Sequence, residues 1–575
     1  MVDCPIRIPR RVVCFTVLAA GLAGTASVGA EPQYFAHGAV AADHPLASAA
    51  GVEVLRNGGN VIDAAVATAM VLSVVRPESS GLGGGGFLVH WNAESQTATA
   101  WDYRERAPLS STADMYVRAE ARGVRQASQR GMLAVAVPGQ IPGLCEIHRR
   151  HGALPLKDVL KPAVRLATEG VPVDAQTIAT QRGLLAEFNR HPELQNTFAP
   201  LWSGYLNSGK AWQAGDQFRS PQRAALEWLS EQGPQAFTDG PIGEAILQHS
   251  QMHGGLLTRE DLRQMAPVER NVLRGRYADY EILTMPPPSS GGVALLESLQ
   301  ILAAWSGRDG HKPWRELPEP DRAHVLVEAL KHAFADRAEF LGDADFVDVP
   351  IQRLLSAEHA ERLAAKIGLD KTHPPEEYGR FESPKDAGTT HFCVMDAAGN
   401  AVACTETINT TFGSFVVEPR TGIVLNNEMD DFTAIPGQPN AFGLKQSVAN
   451  AIAPRKKPLS SMTPTIVVKD GRAVAIAGAS GGPRIITATL QVLLLILEFD
   501  LGAQAAVSAP RLHHQWQPDE VLIEKGLEPL EAALIAKGHR VRQTSSLAAT
   551  QALRRLTQGL EPGSDPRKHG VPAGY

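Results

Sequence analysis

Cysteine is scarce in this chain: five residues in 575, of which Cys4 and Cys14 fall in the first segment, leaving Cys145, Cys393 and Cys404. So sparse and odd a set excludes a disulfide framework, and no Cys/His spacing approaches that of a zinc site, so neither a metal nor a cofactor is expected. Cys393 and Cys404 either meet across a hairpin or stay buried as free thiols. An excess of one charge is also missing. Lys and Arg number 55 against 61 Asp and Glu, a net charge of -6, and no basic run stands out, which argues against a nucleic acid or other extended polyanion as partner. Beyond the first thirty residues there is no long hydrophobic run: residues 61–75 are apolar, but Asp63 and the short length make them a buried helix, not a membrane span. What is present, 44% hydrophobic and 20% charged residues, describes an ordinary globular protein.

The first residues differ in kind. Arg7, Arg10 and Arg11 precede an apolar stretch at 12–23 and then small residues ending Val28-Gly29-Ala30, the pattern of a signal peptide cleaved after Ala30. The stretch is shorter than the roughly 20 residues a spanning helix needs, so no membrane span is expected after its removal, and the protein is expected in the periplasm or secreted.

The remaining length suits three or four domains or one large sandwich. Helical patterns run from Leu46, broken at Gly58-Gly59 and resumed over 61–75, before the glycine-rich 81–86. That loop lacks the Gly-Lys-Ser/Thr ending of a phosphate-binding loop and leads into a strand at 87–91, so close backbone packing explains its glycines. Residues 140–280 and 320–370 read as amphipathic helices, with 286–292 as a turn-rich connection. Near 385 the character changes to alternating strands, followed by an apolar helix over 485–497. Helices first and strands with helices later predict a layered α/β sandwich.

Residues 388–396 read as a strand, Ala397-Ala398-Gly399 as a turn, and 400–409 as the returning strand. Centring the loop on Ala398 sets Thr389 opposite Thr407, and period-two alternation puts Thr405, Thr407 and Asn409 on one face. By itself this is an ordinary pair of sheet threonines.

TTHFCVMDAAGNAVACTETINTTFG at 389–413 resembles the processing segment of gamma-glutamyltransferases, also called gamma-glutamyltranspeptidases or glutathione hydrolases. GLGGGGF at 81–87, NNEMDDF at 426–432, KPLSSMTPTIV at 457–467, GASGGPRII at 478–486 and APRLHHQW at 509–516 follow in the family's order and spacing. The resemblance implies an α/β (α+β) fold, the N-terminal-nucleophile hydrolase αββα sandwich. It implies a signal peptide at 1–30 and a precursor cut between Gly388 and Thr389 into a large chain, 31–388, and a small chain, 389–575, which stay together as a heterodimer. Thr389 would then be the nucleophile, its new α-amine the base, Thr407 the holder of its hydroxyl, and Gly481 and Gly482 the oxyanion donors. Arg104 in WDYRERAP, Ser460 and Ser461 would bind the α-carboxylate of a γ-glutamyl group, and Asn409, Glu428 and Asp431 its α-ammonium. Glutathione and its conjugates are the implied donors, and water, amino acids or short peptides the acceptors. Residues 432–443 resemble a loop that lids the pocket, with Phe442 where a tyrosine often stands.

Three other readings compete. Gly478-Ala479-Ser480-Gly481-Gly482 matches a serine-hydrolase elbow, with Asp519 and His539 as its only orderly partners. Some cephalosporin acylases share the self-cutting hairpin. An inactive periplasmic binding protein is the third.

Overall fold

The computed structural model describes residues 32–379, 388–435 and 448–575; the signal-like segment and most of the expected lid loop, Phe442 included, lie outside these. The helix Pro45–Arg56 stops at Asn57-Gly58-Gly59, and Asn60 starts the next one. Its side chain accepts from the Ile62 and Asp63 amides at 2.9 and 3.1 Å while Asp63 accepts from the Asn60 amide at 2.9 Å, a reciprocal cap that satisfies otherwise orphaned donors. Every residue of the resulting helix, Val61–Val75, is buried, as expected for a helix apolar all round.

This helix packs on a seven-stranded antiparallel sheet ordered Ala573–Gly574, Gly38–Ala42, Thr390–Asp396, Ala401–Thr407, Gly85–Asn92, Thr97–Asp102 and Val268–Arg270. A second antiparallel sheet runs Gly559–Ser564, Ala549–Leu556, Arg472–Ser480, Thr465–Lys469, Tyr280–Thr284 and Leu273–Tyr277. One core fills the space between the sheets, with Phe87, Val89 and Met395 facing Leu283, Ile476 and Leu553. Two further cores lie outside, one under the Pro45–Arg56 and Val61–Val75 helices and one under Gly291–Ser306, Glu319–Phe340 and Arg484–Phe499. The order of layers is helix, sheet, sheet, helix, the αββα sandwich that the sequence implied. Among the described residues no helix is long and apolar enough to cross a membrane.

One feature of the sequence reading changes. Residues 268–280, expected as helix, fall in three short strands that end at Thr284, because LRGRY and YEILT give only five residues each of alternation in a charged context. The connection at 286–292 is turn-rich as expected over 286–290, and its last two residues begin the sixteen-residue helix Gly291–Ser306. Cys393 and Cys404 do not meet: they pair with Ala403 and Phe392, and Cys145, Cys393 and Cys404 are all buried free thiols.

Candidate active site

The hairpin Thr390–Asp396 and Ala401–Thr407 has the register set by a loop centred on Ala398, from Ala401 opposite Met395 to Glu406 opposite Thr390. Thr389 is one step beyond this ladder, its Oγ1 3.4 Å from Thr407 Oγ1. The Thr407 hydroxyl accepts from the Asn409 amide at 2.8 Å and donates to the Gly388 carbonyl at 2.9 Å. Thr389 Oγ1 donates to the same carbonyl at 2.7 Å, so two hydroxyls converge on the peptide bond that precedes the threonine. Gly388 has φ +83°, and a Cβ there would lie 2.5 Å from the Asn409 carbonyl; only glycine fits.

The start of this strand is fixed from behind by residues the sequence reading did not single out. Asp43 accepts from Thr390 Oγ1 at 2.7 Å and from Gln551 Nε2 at 2.6 Å, and Lys568 stands 3.2 Å from the same carboxylate while donating to the Thr389 carbonyl. The returning strand is supported by the glycine-rich loop, where a Cβ on Gly84 would sit 2.1 Å from the Thr407 carbonyl. No local pattern marks these residues: Asp43 and Lys568 lie 525 positions apart.

Thr389 and Thr407 open onto a cavity that is also lined by Arg104, Arg337, Asn409, Glu428, Asp431, Ser460, Ser461 and Gly482. Asn409 is held by its Nδ2 on the Asn427 carbonyl at 2.9 Å. Asn426 spends its amide on the Gly83 and Ala136 carbonyls and its oxygen on the Ala136 and Glu428 amides, which fixes the short helix Glu428–Asp431 against the glycine loop. Arg104 is fully buried, with Nη1 2.8 Å from Glu428 Oε2 and Nη2 2.5 Å from Asp431 Oδ2. Burial alone would loosen its proton, but Glu428, Asp431 and Glu105 hold it more firmly than usual. Burial pushes the Glu428 and Asp431 carboxyls up, with Arg104 opposing, and takes Glu105 to about 8.

Ser460 and Ser461 are held by the 286–292 segment. The Ser460 carbonyl accepts from the Ser290 amide at 2.8 Å and hydroxyl at 2.6 Å, and its own amide donates to the Pro288 carbonyl at 2.9 Å. Gly481 and Gly482 follow the strand Arg472–Ser480 and precede the helix Arg484–Phe499. Among the described residues neither amide donates to another protein group, and both lie at the positive end of that helix's dipole. The cavity thus combines two threonine hydroxyls, the Gly482 backbone, two cations and two carboxylates, with Gly481 adjoining but not lining it.

The serine-hydrolase constellation is not assembled. Ser480 is buried with its hydroxyl 3.4 Å from the Ala549 carbonyl, His539 bonds His324 at 2.7 Å, and Asp519 pairs with His514 at 3.3 Å. His513 bonds Thr487 and Gln515, so the adjacent histidines have separate structural partners. His324, Glu328 and His539 lie close enough to share an ion, but His324 Nε2 bonds the Gly368 carbonyl and Glu328 accepts from Thr372 and Tyr378, so the group is satisfied without one.

Residues 47–575 match the family model described as Gamma-glutamyltranspeptidase. Over 573 residues the chain is 39% identical to the glutathione hydrolase proenzyme of Escherichia coli strain K12, covering 98% of this chain and 97% of that protein. Among solved structures, a cephalosporin acylase from Bacillus halodurans superposes with a TM-score of 0.82 at 27% identity over 96% of this chain and 98% of its own. A Helicobacter pylori gamma-glutamyltranspeptidase chain superposes with a TM-score of 0.51 at 32% identity, covering 59% of this chain and 93% of itself.

Proposed function

The chain belongs to the gamma-glutamyltranspeptidase family, and from that premise we propose that it is a glutathione hydrolase and γ-glutamyl transferase that cuts itself before Thr389. One observation carries this reading: Thr389, two hydroxyls on the Gly388 carbonyl, and a buried pocket of both charge signs share a single site.

Cutting begins when the Thr389 hydroxyl attacks the Gly388 carbonyl carbon, exchanging the peptide bond for an ester and passing its proton to the departing amine. The Thr407 hydroxyl polarises the carbonyl, and the left-handed Gly388 is already bent away from an extended strand. Water then hydrolyses the ester, leaving a Gly388 carboxylate and a Thr389 with a free hydroxyl and a free amine. An unperturbed α-amine titrates near pH ~8, so at neutral pH a useful fraction can take the proton of its own hydroxyl.

In turnover the Thr389 oxygen adds to the γ-glutamyl carbonyl, and the oxyanion is met by the Gly481 and Gly482 amides, each worth roughly 3 kcal/mol if well aimed. The amine hands its proton to the leaving amine of the donor, and water or an acceptor amine releases the glutamyl ester. Glu428, Asp431 and Asn409 suit the α-ammonium, and Arg104, Ser460 and Ser461 the α-carboxylate. Matured chains 31–388 and 389–575 form the heterodimer, and the N-terminal pattern supports export to the periplasm or beyond.

The likeness to a cephalosporin acylase supports a second reading, a cephalosporin (β-lactam) acylase that removes the acyl side chain. The paired carboxylates favour a head group that carries an ammonium. Mass spectrometry of wild type and Thr389→Ala, with glutathione turnover followed in both, tests the proposal: two fragments meeting at Gly388-Thr389 and glutamate release are expected from wild type alone. An uncut, active wild type, or turnover of a cephalosporin side chain in preference to glutathione, rejects it.

A further inference from the structure

Arg337 is a buried cation for which the roles above give no use. It stands in the last turn of the Glu319–Phe340 helix, is 2% exposed, and lines the same cavity as Thr389, Asp431 and Ser461. Its Nε donates to Ser290 Oγ at 2.8 Å and its Nη2 to Ser461 Oγ at 3.1 Å. Among the described residues no carboxylate is within ion-pairing distance of it. Burial draws its pKa down to about 10, with the more distant Asp431 opposing. A guanidinium held in the interior without a counter-ion is costly, and a ligand that brings the missing charge relieves that cost. Arg104 is in the opposite condition, since both of its outer nitrogens already meet carboxylates of the protein.

We propose that Arg337 is a specificity-determining residue for the α-carboxylate of the γ-glutamyl group, acting both by its unmatched charge and through the Ser461 hydroxyl it holds. The inference rests on the reading of this cavity as the γ-glutamyl site. Ser461 Oγ takes the Arg337 bond on a lone pair, so its own proton remains to be donated to an anionic oxygen in the cavity. Ser290 fixes the guanidinium from the other side: its lone pair takes Nε while its proton goes to the Ser460 carbonyl at 2.6 Å. Arg337, Ser290, Ser460 and Ser461 are therefore tied into one hydrogen-bonded unit. A 4-aminobutanoyl group, which has the same chain and ammonium but no carboxylate, would leave that unit's charge unanswered.

The test compares γ-glutamyl-p-nitroanilide with 4-aminobutanoyl-p-nitroanilide on the matured wild type, Arg337→Met, Arg337→Lys and Ser290→Ala. Wild type is expected to prefer the first strongly. Arg337→Met should lower kcat/KM for the γ-glutamyl substrate by about ten- to a hundredfold, mainly through KM, and lose far less on the other, so that the preference narrows at least tenfold. Arg337→Lys should recover part of the preference, and Ser290→Ala should narrow it by a smaller factor. Equal losses on both substrates would mark a merely structural role and overturn the inference. If Arg337→Met does not fold or mature, an unchanged preference in both Arg337→Lys and Ser290→Ala overturns it instead. A wild type that is uncut, or inert toward the γ-glutamyl substrate, rejects the cavity's reading itself and is separately visible.

Discussion

Thr407 has one hydroxyl and three neighbours for it. It accepts from the Asn409 amide, donates to the Gly388 carbonyl and stands 3.4 Å from the Thr389 oxygen. Thr407→Val keeps the shape and removes all three contacts, leaving the Asn409 amide buried without its partner at a cost of about 1–3 kcal/mol. The chain should still fold, because that cost is modest beside the stability of a well-packed domain of this size, but its cutting should slow by about ten- to a thousandfold. Thr407→Ser should cut at close to the wild-type rate. Densitometry of fragments against time after synthesis measures both; equal rates in Thr407→Val and wild type would remove Thr407 from the chemistry.

Among the elements, the glycine-rich loop 81–86 shows how backbone contacts position a side chain. Gly84 touches the Thr407 carbonyl so closely that Gly84→Ala must push either the loop or the strand aside. Slower cutting is expected, along with a thermal midpoint lowered by several degrees; a variant that is destabilised yet cuts normally would show that the strand had not moved. This element also shows what a sequence can disclose. Its failure to match a phosphate loop and the strand that follows it are local properties, and so is the hairpin register, which follows from period two and the position of one turn. The Val61–Val75 helix was legible because its caps and its length are local too. Arg337, Asp43 and Lys568 were not, since each meets its partners only after strands far apart in the chain are brought side by side. The strands over 268–284 were missed for a different reason: short edge segments with charged faces show too few alternations to tell period two from a helix. Arg104 was read as a ligand for a substrate carboxylate, and the folded chain adds that Glu428 and Asp431 pair with its outer nitrogens.

Over the whole molecule, buried titratable groups set the dependence of stability on pH. His44, His332, His391 and His513 are driven by burial to about 3, His90 and His324 to about 4, and His539 to about 2. The unfolded chain protonates such histidines below about 6.5 and the folded one does not, so acidification through this range removes stability. Glu105, Glu297 and Glu406 are raised to about 8, chiefly by burial, and so keep protons in the folded state that the unfolded chain has released above about 4.5; their contribution is lost as pH rises toward 8. His359, raised to about 9 by Asp336 and then Glu297, contributes in full below about 6.5 and loses that contribution as pH climbs to 9. The two groups oppose one another between about pH 4.5 and 6.5 and act alone outside it. Seven histidines outweigh three carboxyls in that window, so urea midpoints should climb with pH to a maximum near pH 6.5 and fall beyond it, and a midpoint still rising from pH 6.5 to 8.5 would contradict the assignment.

The layout of the sheets bears on the products of cutting. Gly38–Ala42 lies beside Thr390–Asp396 in one sheet, and Tyr280–Thr284 beside Thr465–Lys469 in the other, so strands from either side of Gly388 are hydrogen-bonded to each other in both sheets. Fragments cut at that bond should co-elute as one particle in native buffer and separate only in denaturant; elution as two species without denaturant would contradict this arrangement. The two hydroxyls that meet at Gly388 are brought there by strands drawn from the whole length of the chain, so the bond has no reason to break before those strands are in place. Once it has broken, the covalent order that guided assembly is gone, and a pair unfolded afterwards must find itself again at a rate set by dilution. The cut would then act as a one-way timestamp: in any preparation, the proportion of split chains would count the molecules that had reached the native arrangement at least once, including those that have since lost it.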